Sequence, residues 1–181
     1  SSVLNSHDDY QVFKNQINNI RNVMSHHTVF DKVKYIFSKT STKFEIEDKP
    51  VLVICSEINS QITESFNIQR YDQKKLVTID QLNHIKSDDY SYVTFFNENY
   101  NYGRYYLEDM VNAFKYTDVS FVTKNSSFDL NYNVIGANHE YVKDFNDLYK
   151  TVFSLKKNTL PEIKKGNYNL NDYCGYSIDP F

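Results

Sequence analysis

The sequence predicts an α/β domain with a mainly parallel sheet flanked by helices, preceded by an N-terminal helical hairpin. Three observations lead there. Val51-Leu52-Val53-Ile54-Cys55 is an unbroken apolar run after Pro50, the pattern of a strand covered on both faces. Similar β-branched and aromatic runs recur at residues 76–79, 92–96 and 119–123. Segments of helical period lie between them, and such alternation predicts parallel strands joined by crossover helices.

Each element has its own warrant. Over residues 8–38, Val12, Phe13, Gln16, Ile17, Ile20, Val23 and Met24 recur at spacings of three and four, the period of a helix. Val29, Val33, Ile36 and Phe37 continue the pattern after Thr28, giving a second helix. The polar stretch 39–49 reads as a connector, so residues 1–49 are the helical segment with its linker and residues 50–181 the α/β domain. Residues 60–68 suit a short helix. Residues 105–117 give the clearest one, with Leu107, Met110, Val111 and Phe114 on one face. Residues 125–138 read as a loop or hairpin. Residues 144–154 read as a helix carrying Phe145, Leu148, Tyr149 and Val152. Pro161 to Gly166 suits a short helix that starts at Pro and stops at Gly. Residues 173–178 read as a closing strand.

Composition removes several functions. Basic and acidic residues number 20 and 23 with no basic block, so a nucleic-acid footprint is absent. No apolar run reaches the length that spans a bilayer. The first residues lack a charged-then-apolar leader. Cys55 and Cys174 each lie in an apolar or aromatic strand and read as buried free thiols, which fits a cytoplasmic setting. The 16 Tyr and 13 Phe without Trp imply an aromatic core whose tyrosine hydroxyls need partners.

Candidate site residues converge on the turn after the third strand. Asn97, Glu98, Asn99, Tyr100, Tyr102 and Arg104 follow residues 92–96, and polar turns after parallel strands lie on the carboxyl edge, where open α/β sheets bind ligands. Ser56 and Glu57, after the first strand, face the same rim. Tyr92 and Tyr106 suit the core, while Tyr100 and Tyr102 remain open between surface and ligand contact. Glu108 and Asp109 suit the first turn of a helix, where carboxylates meet the positive dipole end. Asp88-Asp89 fall before the third strand, at the wrong edge for a ligand. His26-His27 is a poor metal motif, because adjacent helical residues cannot share a face. No glycine-rich phosphate loop or nucleophile elbow occurs.

The segment from Tyr92 to Lys124 resembles the metal-binding region of family 2-type, GT-A glycosyltransferases of Gram-positive capsule and teichoic-acid clusters. In that family a strand runs into an acidic cluster, then Tyr-Gly, then Tyr-Leu-Glu-Asp opening a helix. Here Tyr102-Gly103 and Tyr106-Leu107-Glu108-Asp109 match, while the acidic cluster has become Asn97-Glu98-Asn99-Tyr100. Two weaker patches keep the family's order. One is residues 66–77 around Gln69-Arg70-Tyr71. The other is residues 163–166 with 173–181, ending in Asp179-Pro180-Phe181. The helical N-terminus lies outside the resemblance.

The resemblance implies a truncated GT-A fold and ancestral sugar transfer from a nucleotide-sugar, with Mn²⁺ or Mg²⁺ on the diphosphate and a carboxylate as base. The base-holding loop would be residues 56–59. Only residues 80–91 replace a long nucleotide-contacting part of the family's domain. Residues 154–160 lack the acidic pair that usually supplies the catalytic base. Glu98 is the one charged metal ligand left, so no cofactor is expected unless the domain is an active transferase. The reading is a degenerate, non-catalytic binding or accessory module, cut from a longer chain. It would act in the cytoplasm or at the inner membrane face through the full-length protein. Its partner would be a glycan, a teichoic-acid polymer or neighbouring domains. The alternatives are an active transferase completed by other parts, or a structural spacer.

Overall fold

A computed structural model describes residues 2–39, 50–166 and 174–180. The chain divides into two compact units, Ser1–Asp48 with Leu130–Asn133, and Lys49–Asp129 with Val134–Phe181. The connector read at 40–49 lies outside the described residues.

The first unit contains α1 (Ser2–His26) and α2 (Val29–Ser38), the two helices that the periodicity predicts. The apolar stripe of α1 is covered unevenly. Ile17 is buried, but Val12, Ile20 and Val23 are about half exposed. Tyr10 packs on Tyr132 at a ring distance of 5.0 Å.

The second unit holds the sheet. In chain order come β1 (Val51–Cys55), α3 (Ser60–Asn67), β2 (Lys74–Thr78), β3 (Tyr92–Phe95), α4 (Tyr106–Ala113) and β4 (Phe121–Thr123). Then follow β5 (Ser127–Phe128), β6 (Val134–Ile135), β7 (Glu140–Val142), β8 (Thr151–Ser154), α5 (Leu160–Lys164) and β9 (Gly175–Ser177). β5 and β6 form a separate ribbon, and the other seven strands lie in the order β2-β1-β3-β8-β4-β9-β7. β1 pairs parallel with both β2 and β3, and β4 pairs parallel with β9. β8 runs antiparallel to β3 and β4, and β7 antiparallel to β9. The sheet is therefore mixed, with β1, β2, β3, β4 and β9 sharing one direction.

Two expectations change. Residues 144–154 are not a helix but a short 3-10 turn, Leu148–Lys150, leading into β8. The spacing of Phe145, Leu148, Tyr149 and Val152 imitates a helical face. What decides the segment is that all four residues of β8 are buried, which suits a β-branched pair, Thr151-Val152, in a central strand. The Thr94 hydroxyl also donates to the Thr151 carbonyl at 2.8 Å. β8 in turn separates β3 from β4, so the strand runs at 92–96 and 119–123, expected as neighbours in one parallel sheet, do not pair with each other.

The strand period of two explains the unbroken apolar run of β1. Val51, Val53 and Cys55 pack with Phe96, Leu107 and Met110 on the α4 side. Leu52 and Ile54 pack with Val93, Phe121, Phe153 and Ile163 on the other.

Gly175 marks the tightest point between β9 and β4, because a Cβ there would collide with the Phe121 ring. Phe121 is fully buried and has no room to turn away. Gly175→Ala should cost about 2 kcal/mol, the usual range for overpacking, read as a lowered urea midpoint at unchanged slope. An unchanged midpoint would show that the β4–β9 packing is looser than described.

Candidate functional site

The chain leaves β1 for β2 on one side and later returns to β3 on the other. β1 and β3 therefore flank a topological switch point, and the crevice beyond their carboxyl ends is the favoured ligand position in an open α/β sheet. Ile54 pairs with Phe95, and the Phe96 amide donates to the Ile54 carbonyl at 2.8 Å. Residues 56–59 and 97–102 thus start side by side at this edge.

Asn59 joins the two loops. It is the N-cap of α3, with Oδ1 accepting from the Ile62 amide at 2.9 Å, a standard way to satisfy an orphan helix donor. Its Nδ2 donates to Glu98 Oε2. Asn97 Oδ1 accepts from the Asn99 amide at 2.9 Å, an Asx turn that folds the chain back on itself.

The tyrosines of the turn divide into two roles. Tyr102 is buried, its ring stacked on Phe96 at 3.9 Å. Its hydroxyl accepts from the Asn97 amide at 3.1 Å and donates to the Phe95 carbonyl at 3.3 Å. Burial pushes its phenol well above the ordinary range, and burial does the same for Tyr106. Both therefore stay neutral donors. Tyr100 is half-buried, and its hydroxyl donates to Asp147 Oδ2 at 2.7 Å. That hydrogen bond is the main cause raising its phenol. Asp147 Oδ1 meanwhile accepts from the Tyr149 amide at 2.9 Å.

The structure sorts the predicted residues accordingly. Ser56, Glu57, Glu98 and Asn99 are exposed at the edge, with Asn97 and Tyr100 partly covered. Tyr102 is a strut beneath the turn rather than a side chain on its surface. Arg104 stands apart: its carbonyl accepts from the Arg70 amide at 2.8 Å, beyond the end of α3 opposite Asn59. Its guanidinium lies 5.3 Å from the centre of the Tyr105 ring. Asp147 is a site residue that the sequence reading missed, and Asn59 entered it only within the base-holding loop 56–59 that the resemblance implies. Asn59 carries a visible cap signal, while Asp147 was hidden by the helical reading of 144–154.

The remaining candidates have structural positions. Asp88 and Asp89 lie in a 3-10 turn before β3, and the Ser91 amide donates to the Pro50 carbonyl at the amino edge. Glu108 and Asp109 occupy the first turn of α4. Glu162 forms a capping box with Thr159, whose hydroxyl and amide hold its carboxyl below the usual range. Cys55 is a buried free thiol, raised by burial.

The donor set does not fit a divalent cation, which wants several anionic oxygens free to coordinate. Glu98 is the one carboxylate on the turn, and its Oε2 is taken by Asn59. Asn97 Oδ1, Asn59 Oδ1 and both Asp147 oxygens already accept protein hydrogen bonds. Among the described residues, no group of three His, Cys, Asp or Glu gathers at metal-binding spacing. No helix among them is long and apolar enough to cross a membrane. Comparison with known proteins gives no match to a family model, a curated protein or a solved structure.

The bridge can be tested through its cap. Asn59→Ala should cost about 1 kcal/mol, the usual worth of an N-cap. Asn59→Asp keeps the cap acceptor but sets a second carboxylate against Glu98. It should be destabilised at neutral pH and recover when combined with Glu98→Gln. Urea unfolding of the four-member cycle measures the coupling, and strict additivity would show that the two side chains do not meet.

Proposed function

We propose that this chain is a degenerate glycosyltransferase-like domain of a cell-wall, capsule or teichoic-acid biosynthesis protein, acting as a non-catalytic binding module. The observation that carries this reading is the Asn59–Glu98 bridge at the β1/β3 switch point. It holds together the two loops that the family resemblance assigns to nucleotide and metal. The strand, turn and helix of residues 92–113 follow the order of the resembling motif.

The rim offers groups suited to hydroxyl-rich ligands. Ser56 is a donor and acceptor, the Asn99 amide provides both functions, and Glu57 and Glu98 accept. The half-buried Tyr100 ring adds an amphipathic surface of the kind that packs on a sugar. Catalysis is disfavoured because Asn97 Oδ1 and Glu98 Oε2 already accept hydrogen bonds and positions 97 and 99 offer a metal amides in place of carboxylates. A cytoplasmic position, with a glycan, a teichoic-acid polymer or neighbouring domains of a longer chain as partner, follows from the same reading.

Amide shift mapping with UDP-sugars and teichoic-acid fragments tests it. Perturbations should cluster at residues 56–59 and 97–100 in the absence of metal. Glu98→Gln should weaken binding about tenfold if Glu98 accepts a ligand hydroxyl, since hydrogen bonds to charged groups contribute roughly 1.5–3 kcal/mol. Perturbations confined to α1 and α2 would move the function to the helices. Tight, Mn²⁺-dependent UDP binding that disappears in Glu98→Gln would overturn the non-catalytic assignment.

A further inference from the structure

Only three of the 20 basic residues are arginine, Arg21, Arg70 and Arg104. Two of them, 34 positions apart, meet on one tyrosine. The Arg70 guanidinium lies 5.6 Å from the centre of the Tyr105 ring, and the Arg104 guanidinium 5.3 Å from it. Arg70 Nη1 also donates to the Tyr105 hydroxyl at 3.3 Å. Both arginines are exposed. Among the described residues, neither guanidinium has a carboxylate within 4 Å, the distance of the ion pairs that do form elsewhere.

Two cations within 6 Å of one ring centre gather positive charge around it, and the ring's negative face offsets only part of that cost. The arrangement is nevertheless built firmly. The Arg70 amide donates to the Arg104 carbonyl at 2.8 Å. Between them the buried Gln69 amide donates to the Gly103 carbonyl at 3.0 Å and accepts from the Leu107 amide at 3.1 Å. Lys74 adds a third cation, its Nζ donating to the Gln69 and Tyr71 carbonyls at 2.9 and 2.8 Å.

We infer that Arg70, Tyr105 and Arg104 form a phosphate-binding clamp, separate from the β1/β3 rim. A guanidinium presents its donors in a planar fork that matches phosphate oxygens. A phosphate group exposes enough oxygens, and enough charge, to satisfy two forks at once. Lysine, a compact and strongly hydrated point charge, would give attraction without that geometry. The clamp stands on its own observations and does not depend on the rim binding a sugar. A free phosphate, a nucleoside diphosphate and a polyol-phosphate polymer share the chemistry.

The side-chain Nε–H resonances of the three arginines provide the test, with Arg21 as the reference inside the same molecule. Inorganic phosphate, UDP and a poly(glycerol phosphate) fragment are titrated separately at fixed ionic strength. Arg70 and Arg104 should shift together and more than Arg21 in at least one titration, and the tightest titration identifies the source. Arg70→Gln and Arg104→Gln should each weaken binding about tenfold, as loss of a charge-assisted bond implies. Arg104→Lys should recover only part of that loss, and Tyr105→Leu should uncouple the two shifts. Shifts of Arg70 and Arg104 no larger than those of Arg21 in all three titrations would overturn the clamp. Full recovery by Arg104→Lys would overturn its forked geometry in favour of a diffuse positive patch.

Discussion

The buried side chain of Gln69 is the contact on which the arrangement of the second unit turns. It is 3% exposed and lies just past the end of α3. Its Nε2 donates to the Ser65 and Gly103 carbonyls, and its Oε1 accepts from the Leu107 amide. One amide therefore closes α3, holds the exit of the 97–102 turn and supplies a partner to an orphan donor at the start of α4. Removing it would leave a carbonyl and an amide buried without partners, and a group desolvated in that way costs more than a typical hydrogen bond gains. The entry to the turn is fixed by Tyr102 stacked on Phe96. Pinned at both ends, the turn presents the same edge to solvent without help from a bound ion.

That rigidity bears on both surfaces argued above. At the rim, Asn59 and Glu98 restrain each other across the switch point, and Tyr100 reaches to Asp147 ahead of β8. β8 runs against its neighbours, so its first residues share an edge with the last residues of β1 and β3. An antiparallel strand in a largely parallel sheet thus brings a carboxylate to the ligand edge that parallel connectivity alone would have left on the other side. At the far end of α3, the same Gln69 sets Arg70 against Arg104. A surface ion cluster on flexible chains gains little, because ordering long side chains offsets the Coulomb term. Here the contacts of both guanidinium groups with the Tyr105 ring, and the Arg70 bond to its hydroxyl, already restrain the side chains in part.

The sequence made β1, α3 and the start of β3 legible because their signals were local. Five apolar residues after a proline admit few alternatives to a two-faced strand. β8 was illegible for the opposite reason. Phe145, Leu148, Tyr149 and Val152 satisfy the helical period, while the burial of Thr151 and Ser154 that makes the segment a strand comes from β3 and β4 on either side. Asp147 was lost with it. The meeting of Arg70 with Arg104 was equally invisible, since it depends on where Gln69 ties two distant segments. The position of Arg104 past the end of α3 was not legible, although the start of α4 near residue 105 was. Tyr102, Gly103 and Arg104 carry the chain to the other end of α3.

The amides of the turn have a physical consequence of their own. Three carboxylates crowded at positions 97 to 99 would repel one another unless a cation sat among them, since like charges a few ångströms apart raise each other's energy steeply in a partly buried setting. With Asn at 97 and 99, no such cation is required. Asn97 spends its oxygen on the Asn99 amide, and the one remaining carboxylate is met by the neutral donor of Asn59. The turn is therefore self-satisfied: it keeps the shape that an ion would otherwise have to hold and leaves its outer polar groups to solvent or to a neutral ligand. A carboxylate at one position alone, such as Asn97→Asp, would add repulsion against Glu98 without completing a ligand set. Internal hydrogen bonds at Asn97 and Glu98 thus hold this turn in the way a cation would have to hold three crowded carboxylates.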